Sequence, residues 1–300
     1  MSMDETGMNG DMAVSGSGQA QRERAVPVVA STSRRMRVLC GERDQEVLRW
    51  AHEQKFLLYD QVARFYPEGP PNPHVPRKAT VTSGMLRRRR RPGSLYMQER
   101  LRKLVRYGIL ERVPVFTEAA SALIPGETGF RLLEGLGLSR GLARLDQIDW
   151  KNFLHDRAAT DVRWILEKRH GGVWTPERVL RRELDARHVP DAMVRLGERV
   201  IALEVELTRK SQARYQAIFN EYVSWSATEL NAVLYVVPGR EELAHLFRSV
   251  LPAVLASEKV WGSLQPDLSR FRFTTIAALS EPRTWWTRNT PESPAMGSLS

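Results

Sequence analysis

The chain of 300 residues lacks the features of extracellular and membrane proteins. Its only cysteine, Cys40, excludes a disulfide framework and any cysteine-rich zinc site. No apolar run approaches the roughly 20 residues that a membrane-spanning helix needs, and the segment before residue 34 contains no signal-peptide hydrophobic core. We therefore expect a cytoplasmic protein without a membrane partner.

The sequence also lacks two common signatures of nucleotide and metal chemistry. It contains no Gly-x-x-x-x-Gly-Lys-Ser/Thr loop, which excludes ATP hydrolysis by that route. Its six histidines do not show metal-ligand spacing. What it does contain is 42% hydrophobic and 27% charged residues, enough apolar material for at least one core and for two domains.

Positive charge is concentrated in one segment. The formal net charge is +10, with 45 Lys and Arg against 35 Asp and Glu. Residues 77–112 contain twelve of these bases and only two of these acids, so the rest of the chain carries 33 of each and is neutral. Such a local excess usually meets a polyanion, and nucleic acid is the expected partner because nothing else indicates a membrane surface.

Composition and breaker residues divide the chain into five parts. Residues 1–36 are rich in Gly, Ser, Met and Ala, and residues 281–300 contain three prolines. We expect a disordered leader and a flexible tail there. Between them we predict a DNA-binding domain over 37–126, a helical linker over 127–149 and an α/β domain over 150–280.

Apolar spacing predicts three helices and a hairpin in the first domain. The helices are predicted over 44–54, with Asp44 as the N-cap, over 59–65 and over 94–107. Strands are predicted over 109–115 and 120–124. This order resembles winged helix-turn-helix domains, in which the third helix enters the major groove of double-stranded DNA.

The resemblance to a winged helix assigns the bases of this segment to DNA. They come from the arginine run, from the side of the third helix opposite its apolar stripe and from the hairpin: Arg87, Arg88, Arg89, Arg90, Arg91, Arg100, Lys103, Arg106 and Arg112. The arginine run is expected to bind phosphates without sequence preference and to make affinity depend steeply on salt. The alternative is a solvated basic face on an ordinary helical domain.

The second domain is predicted to be a mixed sheet with helices on its faces. Helices are expected over 150–169, 211–224 and 241–257, and strands over 192–196, 199–207, 231–237 and 271–276. Residues 174–184 are expected to hold a short extended piece and a short helix. The predicted fold class is therefore mixed α/β.

Three acidic residues fall around the predicted hairpin of this sheet. Alternate residues of a strand share a face, so Glu204 and Glu206 point away from the apolar residues between them, and Asp191 on the preceding strand can reach Glu204. Converging carboxylates are unfavourable unless a cation neutralises them, and oxygen ligands suit Mg²⁺ or Mn²⁺, which activate water. The alternative is a hairpin with one face in water, of which both glutamates form the solvent side.

The motifs around these acids resemble a known family. Pro190-Asp191-Ala192 followed by Glu204-Val205-Glu206, in helix–strand–strand–helix–strand order, resembles the Pro-Asp…(Asp/Glu)-x-Lys nuclease superfamily, the fold of many restriction endonucleases. More motifs extend the likeness: the winged-helix segment, His155-Asp156, Asp161-Val162, Lys210-Ser211 and Arg214-Tyr215. With them the chain is similar to the replication-relaxation family of plasmid and mobile-element proteins, itself similar to endonuclease-fold mobilisation relaxases.

This resemblance implies a metal-dependent endonuclease or relaxase-like protein that nicks DNA at a plasmid or mobile-element origin. It makes Asp191 and Glu204 ligands of Mg²⁺ or Mn²⁺, and Glu206 stands where the superfamily has its catalytic lysine. Lys210 is then the candidate for the missing cation, and Asp161 is a candidate outer-shell acid. Winged-helix proteins often dimerise, which makes a homodimer one alternative while the oligomeric state stays open, and plasmid replication or transfer proteins are further candidate partners. The alternative is a winged-helix accessory protein or transcriptional regulator with a degenerate, non-catalytic nuclease fold.

Overall fold

Two β-sheets organise the chain in this computed structural model, which describes residues 40–66, 92–115, 120–184, 188–225, 229–252 and 270–281. Within these ranges one sheet has three strands and the other has five. Helices accompany both sheets, so the predicted mixed α/β class is confirmed. No helix in the described ranges is long and apolar enough to cross a membrane.

The N-terminal layer is built around the three-stranded sheet. Its elements are α1 (Glu42–Glu53), β1 (Leu57–Leu58), α2 (Tyr59–Ala63), α3 (Pro92–Arg106), β2 (Leu110–Val115), β3 (Ala120–Pro125) and α4 (Glu127–Gly135). Strand β3 lies in the middle and pairs antiparallel with both β1 and β2. The predicted hairpin is therefore present, and Leu57–Leu58, which the spacing leaves unassigned, adds a third strand. Gly108 ends α3 with a φ of 65°, a conformation that favours glycine.

The start of α1 differs from the prediction. Gly41 occupies the N-cap, and Asp44 is the third residue of the helix. The Asp44 carboxylate accepts hydrogen bonds from Gly41 N–H (3.0 Å), from the hydroxyl of Tyr66 (2.6 Å) and from Nε of Arg100 (3.0 Å). Burial alone would raise the pKa of Asp44, but these donors lower it. Asp44 therefore ties α1 to α3 as a carboxylate, a role that local spacing cannot reveal.

The second layer is built around the five-stranded sheet. Its elements are α5 (Phe153–Trp164) with a π-helical turn (Ile165–Arg169), β4 (Val173–Pro176), α6 (Glu177–Glu183), β5 (Ala192–Leu196), β6 (Arg199–Val205), α7 (Gln212–Ser224), β7 (Ala232–Val237), α8 (Arg240–His245) with a π-helical turn (Leu246–Val250), β8 (Phe271–Thr275) and α9 (Ile276–Leu279). The strands follow one another in chain order across the sheet. Pairing is antiparallel from β4 to β6 and parallel from β6 to β8, which confirms the predicted mixed sheet.

Helices cover both faces of this sheet. All six residues of β7 are buried, as expected of a strand that is packed on both sides. Val162 and its neighbours on α5 pack against one face. Phe219 of α7 and Leu246 after α8 pack against the other. The central strands are therefore shielded from water except at their ends.

Helices α1 and α5 join the two sheets, and the described residues belong to one compact unit. The rings of Trp50 and Trp164 lie 5.8 Å apart. Arg163 of α5 binds Glu53 of α1 at 2.6 Å, and both side chains are fully buried. The predicted domain boundaries near residues 126 and 150 stay a prediction. The predicted leader and, apart from Glu281, the predicted tail lie outside the described residues.

Candidate functional site

The hairpin β5–β6 brings the three predicted acidic residues to one end of the sheet. Asp191 directly precedes β5, and Glu204 is the penultimate residue of β6. Because Ala192 pairs with Leu203, the antiparallel register places Asp191 opposite Glu204. Strand β6 ends at Val205, two residues before the predicted end, so Glu206 directly follows the strand.

Glu204 and Glu206 are buried, with 3% and 4% of their surface exposed. The alternative in which they form the solvent side of a hairpin is therefore wrong. Strand β7 runs alongside this end of β6, since Glu204 is in register with Tyr235 and Glu206 N–H donates to the carbonyl of Val236 at 2.9 Å. Burial raises the pKa of both carboxyls because a low-dielectric environment disfavours the charged form.

Asp191 is held in its ionised form by two donors. Its Oδ2 accepts a hydrogen bond from Val205 N–H (2.7 Å) and lies 3.0 Å from Nε2 of His155. Burial would raise the pKa of Asp191, but His155 and Val205 lower it. Burial would also lower the pKa of His155, but Asp156 and Asp191 raise it to about 10. Asp191 and His155 therefore form an ion pair at neutral pH.

Glu204 has two partners that the sequence did not point to. Nε2 of His188 lies 2.6 Å from Oε1 of Glu204, and the hydroxyl of Tyr222 donates to the same oxygen. Burial and the charge of Glu204 raise the pKa of Tyr222 well above its usual value, so the phenol remains a donor. In the sequence, the position of His188 three residues before Asp191 could have indicated that it belongs to the site. In the sequence, Tyr222 is recognisable only as a residue on the buried face of a helix.

The loop after β6 brings Lys210 back to Glu206. Nζ of Lys210 forms an ion pair with Oε2 of Glu206. The backbone N–H of Lys210 donates a hydrogen bond to the hydroxyl of Tyr215 at 3.2 Å. The glutamate that replaces the lysine of the resembled motif is thus paired with a lysine four positions later. All four predicted catalytic residues, Asp191, Glu204, Glu206 and Lys210, line one cleft.

This cleft has a volume of about 880 Å³. Its walls come from the start of α5, from α6 and from the β6–α7 loop. The N-terminal layer contributes Lys55, which has a left-handed φ of 76° and whose Nζ lies 2.8 Å from Asp156 and 3.4 Å from Glu177. Asp161, by contrast, does not line the cleft and pairs with Arg64 at 2.8 Å. Both layers therefore shape the cleft.

The donor set of the cleft suits a hard cation that is bound only partly by protein. Oδ1 of Asp191 and Oε2 of Glu204 accept hydrogen bonds from none of the described residues. Mg²⁺ is usually held by one or two carboxylates together with water and substrate phosphates, so these oxygens are ligands of the type that it takes. No group of three or more His, Cys, Asp or Glu in the described part of the chain is arranged to hold a metal. A metal cage built from these protein ligands alone is therefore not formed.

The bases predicted to contact DNA have different placements. Lys103 and Arg106 are exposed on α3, and Arg112 is exposed on β2. Arg100 forms an ion pair with Asp44 of α1, so its guanidinium has a structural partner. Arg87–Arg91 lie outside the described residues. The exposed positions on α3 thus have the access to solvent that a phosphate contact needs.

Comparison of the chain with protein-family models, with curated proteins and with solved structures gave no match. The resemblance to the replication-relaxation family stays a prediction. The function is therefore argued from the geometry of the cleft and from the placement of charge.

Proposed function

We propose that the chain binds DNA and cuts one strand by metal-dependent hydrolysis in the cleft, as an endonuclease-like relaxase would. The observation that carries this proposal is the acidic set at the end of the sheet. Asp191 and Glu204 lie opposite each other, each with one uncommitted oxygen, and the buried Glu206 follows directly. The order β5, β6, α7, β7 agrees with the nuclease superfamily that the motifs resemble.

Each acidic residue in this mechanism is positioned by the chain itself. A bound Mg²⁺ or Mn²⁺ would supply Lewis-acid activation of water and phosphate, with Asp191 and Glu204 as its protein ligands. His155 keeps Asp191 ionised and fixes one of its oxygens. Lys210 adds positive charge beside Glu206, where it can stabilise charge that develops on a phosphate.

The same proposal makes the N-terminal layer a winged helix that delivers duplex DNA. Its element order is helix, strand, helix, helix, strand, strand, and β1 pairs with β3 of the hairpin. Helix α3 would enter the major groove, and the hairpin β2–β3 would be the wing. The origin of a plasmid or mobile element is the site of action that the sequence resemblance implies.

Removing two exposed bases from α3 is expected to weaken the salt dependence of DNA binding. For Lys103→Ala combined with Arg106→Ala, the slope of log affinity against log salt should become shallower by about 2, because each lost phosphate contact accounts for roughly 0.9. Fluorescence anisotropy with a labelled duplex measures it. Arg131→Ala is the matched control, since Arg131 is an exposed base on α4. An unchanged slope in the double variant would rule out α3 as the DNA-binding helix.

Metal dependence tests the cleavage proposal. The protein is incubated with a supercoiled plasmid that carries the DNA flanking its own gene, in Mg²⁺, in Mn²⁺ or in EDTA. We expect conversion to the open-circular form in either metal and none in EDTA, because two carboxylates alone do not activate water as a metal does. Conversion that persists in EDTA, or none with any metal, would contradict the proposal.

A second function is favoured by one observation: each acid of the set already has a basic partner within the chain. His155 pairs with Asp191, His188 with Glu204 and Lys210 with Glu206. Pairing of this kind is compatible with a buried polar cluster that needs no metal. In this second function the chain is a DNA-binding accessory factor or regulator. Its nuclease-like layer then binds a second copy of the chain or replication or transfer proteins. The chain would bind DNA equally well in EDTA and never nick it.

A further inference from the structure

The cleft contains two large apolar side chains that a purely ionic site does not require. Trp150 precedes α5 and Leu154 lies in its first turn, and both line the cleft. Their surfaces are 36% and 66% exposed. Tryptophan is highly buried on average, so a partly exposed indole in a charged cleft is a candidate contact for a ligand with an apolar surface.

The position of Trp150 is fixed by the core beneath it. Its ring contacts that of Phe153 at a centroid distance of 5.5 Å. Phe153 is buried and stacks on Phe56 of the N-terminal layer at 4.9 Å with an interplanar angle of 8°. The indole is therefore anchored to both layers while a third of its surface remains exposed, which is the arrangement of a preorganised binding surface.

Basic side chains line the same cleft as the indole and the acidic set. Lys151, Arg181 and Arg214 line the walls together with Trp150. A polymer that offers flat apolar rings and phosphates in alternation matches these walls, because aromatic rings stack on bases while Lys and Arg bind the backbone. The chemistry of the cleft thus corresponds to nucleotides of a single strand.

We propose that Trp150 and Leu154 form a stacking platform for an unpaired base of the DNA strand that is to be cut. In an intact duplex each base is covered above and below by its neighbours, so an aromatic side chain can stack only on a base that is unpaired or flipped out. The buried position of Glu204 and Glu206 agrees with this, because the phosphate of a separated strand reaches the end of the sheet more readily than that of a duplex. The inference rests on the proposed function for the identity of the polymer as DNA.

Quenching of aminopurine fluorescence tests the platform. The probes are a short DNA duplex with one bulged, unpaired aminopurine and a fully paired duplex with aminopurine in its interior, both measured in EDTA with the full chain. We expect wild type to quench the unpaired aminopurine. Trp150→Ala should abolish the quenching and lower affinity for that probe about 10-fold, the effect of losing one base–aromatic stack. Its affinity for the fully paired duplex should stay unchanged.

Two further variants control for folding and for nonspecific effects. Trp150→Phe retains an aromatic ring and should keep most of the affinity for the unpaired probe. Val173→Ala removes an apolar side chain that is 60% exposed but does not line the cleft, and it should bind both probes as wild type does. An equal loss of affinity for both probes in Trp150→Ala, or no loss for either, would overturn the platform.

The outcomes separate this inference from the proposed nuclease function, because EDTA removes cleavage from the binding measurement. Quenching that depends on Trp150, in a protein that never nicks DNA, would overturn the nuclease and support the platform. Nicking in Mg²⁺ by a protein that does not quench the unpaired aminopurine would overturn the platform and support the nuclease.

Discussion

Arg163→Met is expected to lower the free energy of unfolding by about 3–5 kcal/mol, the usual effect of breaking a buried ion pair. The Arg163 guanidinium is fully buried, lies 2.6 Å from Glu53 and 3.2 Å from Glu167, and stacks over the ring of Trp50 at 4.1 Å. Its removal leaves the buried Glu53 carboxylate without its closest cation. The contact between the two layers would be weakened where α1 meets α5.

Urea unfolding followed by tryptophan fluorescence measures this change. Arg131→Met is the matched control, since Arg131 and Glu127 form an exposed pair at 2.9 Å whose loss should change stability by less than about 1 kcal/mol. Combining Arg163→Met with Glu53→Leu should cost less than the sum of the two single changes, because the pair is then replaced by apolar side chains. A loss no larger than that of the control would contradict the structural role of Arg163.

Asp191→Asn is expected to reduce the nicking rate by more than about 100-fold. Loss of a residue that merely orients a metal ligand already lowers activity by about 10 to 100-fold, and the ligand itself should matter more. Asparagine keeps the size of the side chain and can still accept the hydrogen bond from Val205 N–H. The measurement is the initial rate of plasmid relaxation in Mg²⁺.

Two comparisons show whether the cleft is the source of the activity. Asp161→Asn changes a carboxylate of α5 that lies outside the cleft and should nick at the wild-type rate. Glu204→Gln should lose activity as Asp191→Asn does, and both should bind duplex DNA in EDTA with unchanged affinity. Equal relaxation by wild type and Asp191→Asn would place the activity elsewhere or in a contaminant.

Local patterns were sufficient to predict the elements that hold the site. The hairpin β5–β6, the apolar strand β7 and the helices α3 and α7 all lie within a few residues of their predicted positions. Their signals are local, namely apolar spacing with turn residues such as Gly197 and Gly108 at positive φ. The two-residue strand Leu57–Leu58 has no such signal, because it forms only by pairing with β3.

The partners of the acidic residues were not predictable in the same way. Glu204 receives His188 from 16 residues before it and Tyr222 from 18 residues after it, and both contacts depend on how the sheet and α7 pack. The partner of Arg100 was not predictable from local sequence either, since Asp44 lies 56 residues away on another helix. Charge and periodicity identify which residues carry chemistry, whereas the pairing among them is a property of the tertiary fold.

The strand order has a consequence for when the acidic set is assembled during synthesis. Hairpin β5–β6 can form as soon as residue 205 has left the ribosome, but the parallel neighbour β7 is encoded only after α7. Until Val237 emerges, Glu204 and Glu206 lack the neighbouring strand with which their backbone pairs. The environment that shifts their pKa values therefore arises late in translation, and a nascent chain that already contains every residue of the acidic set does not yet possess the site.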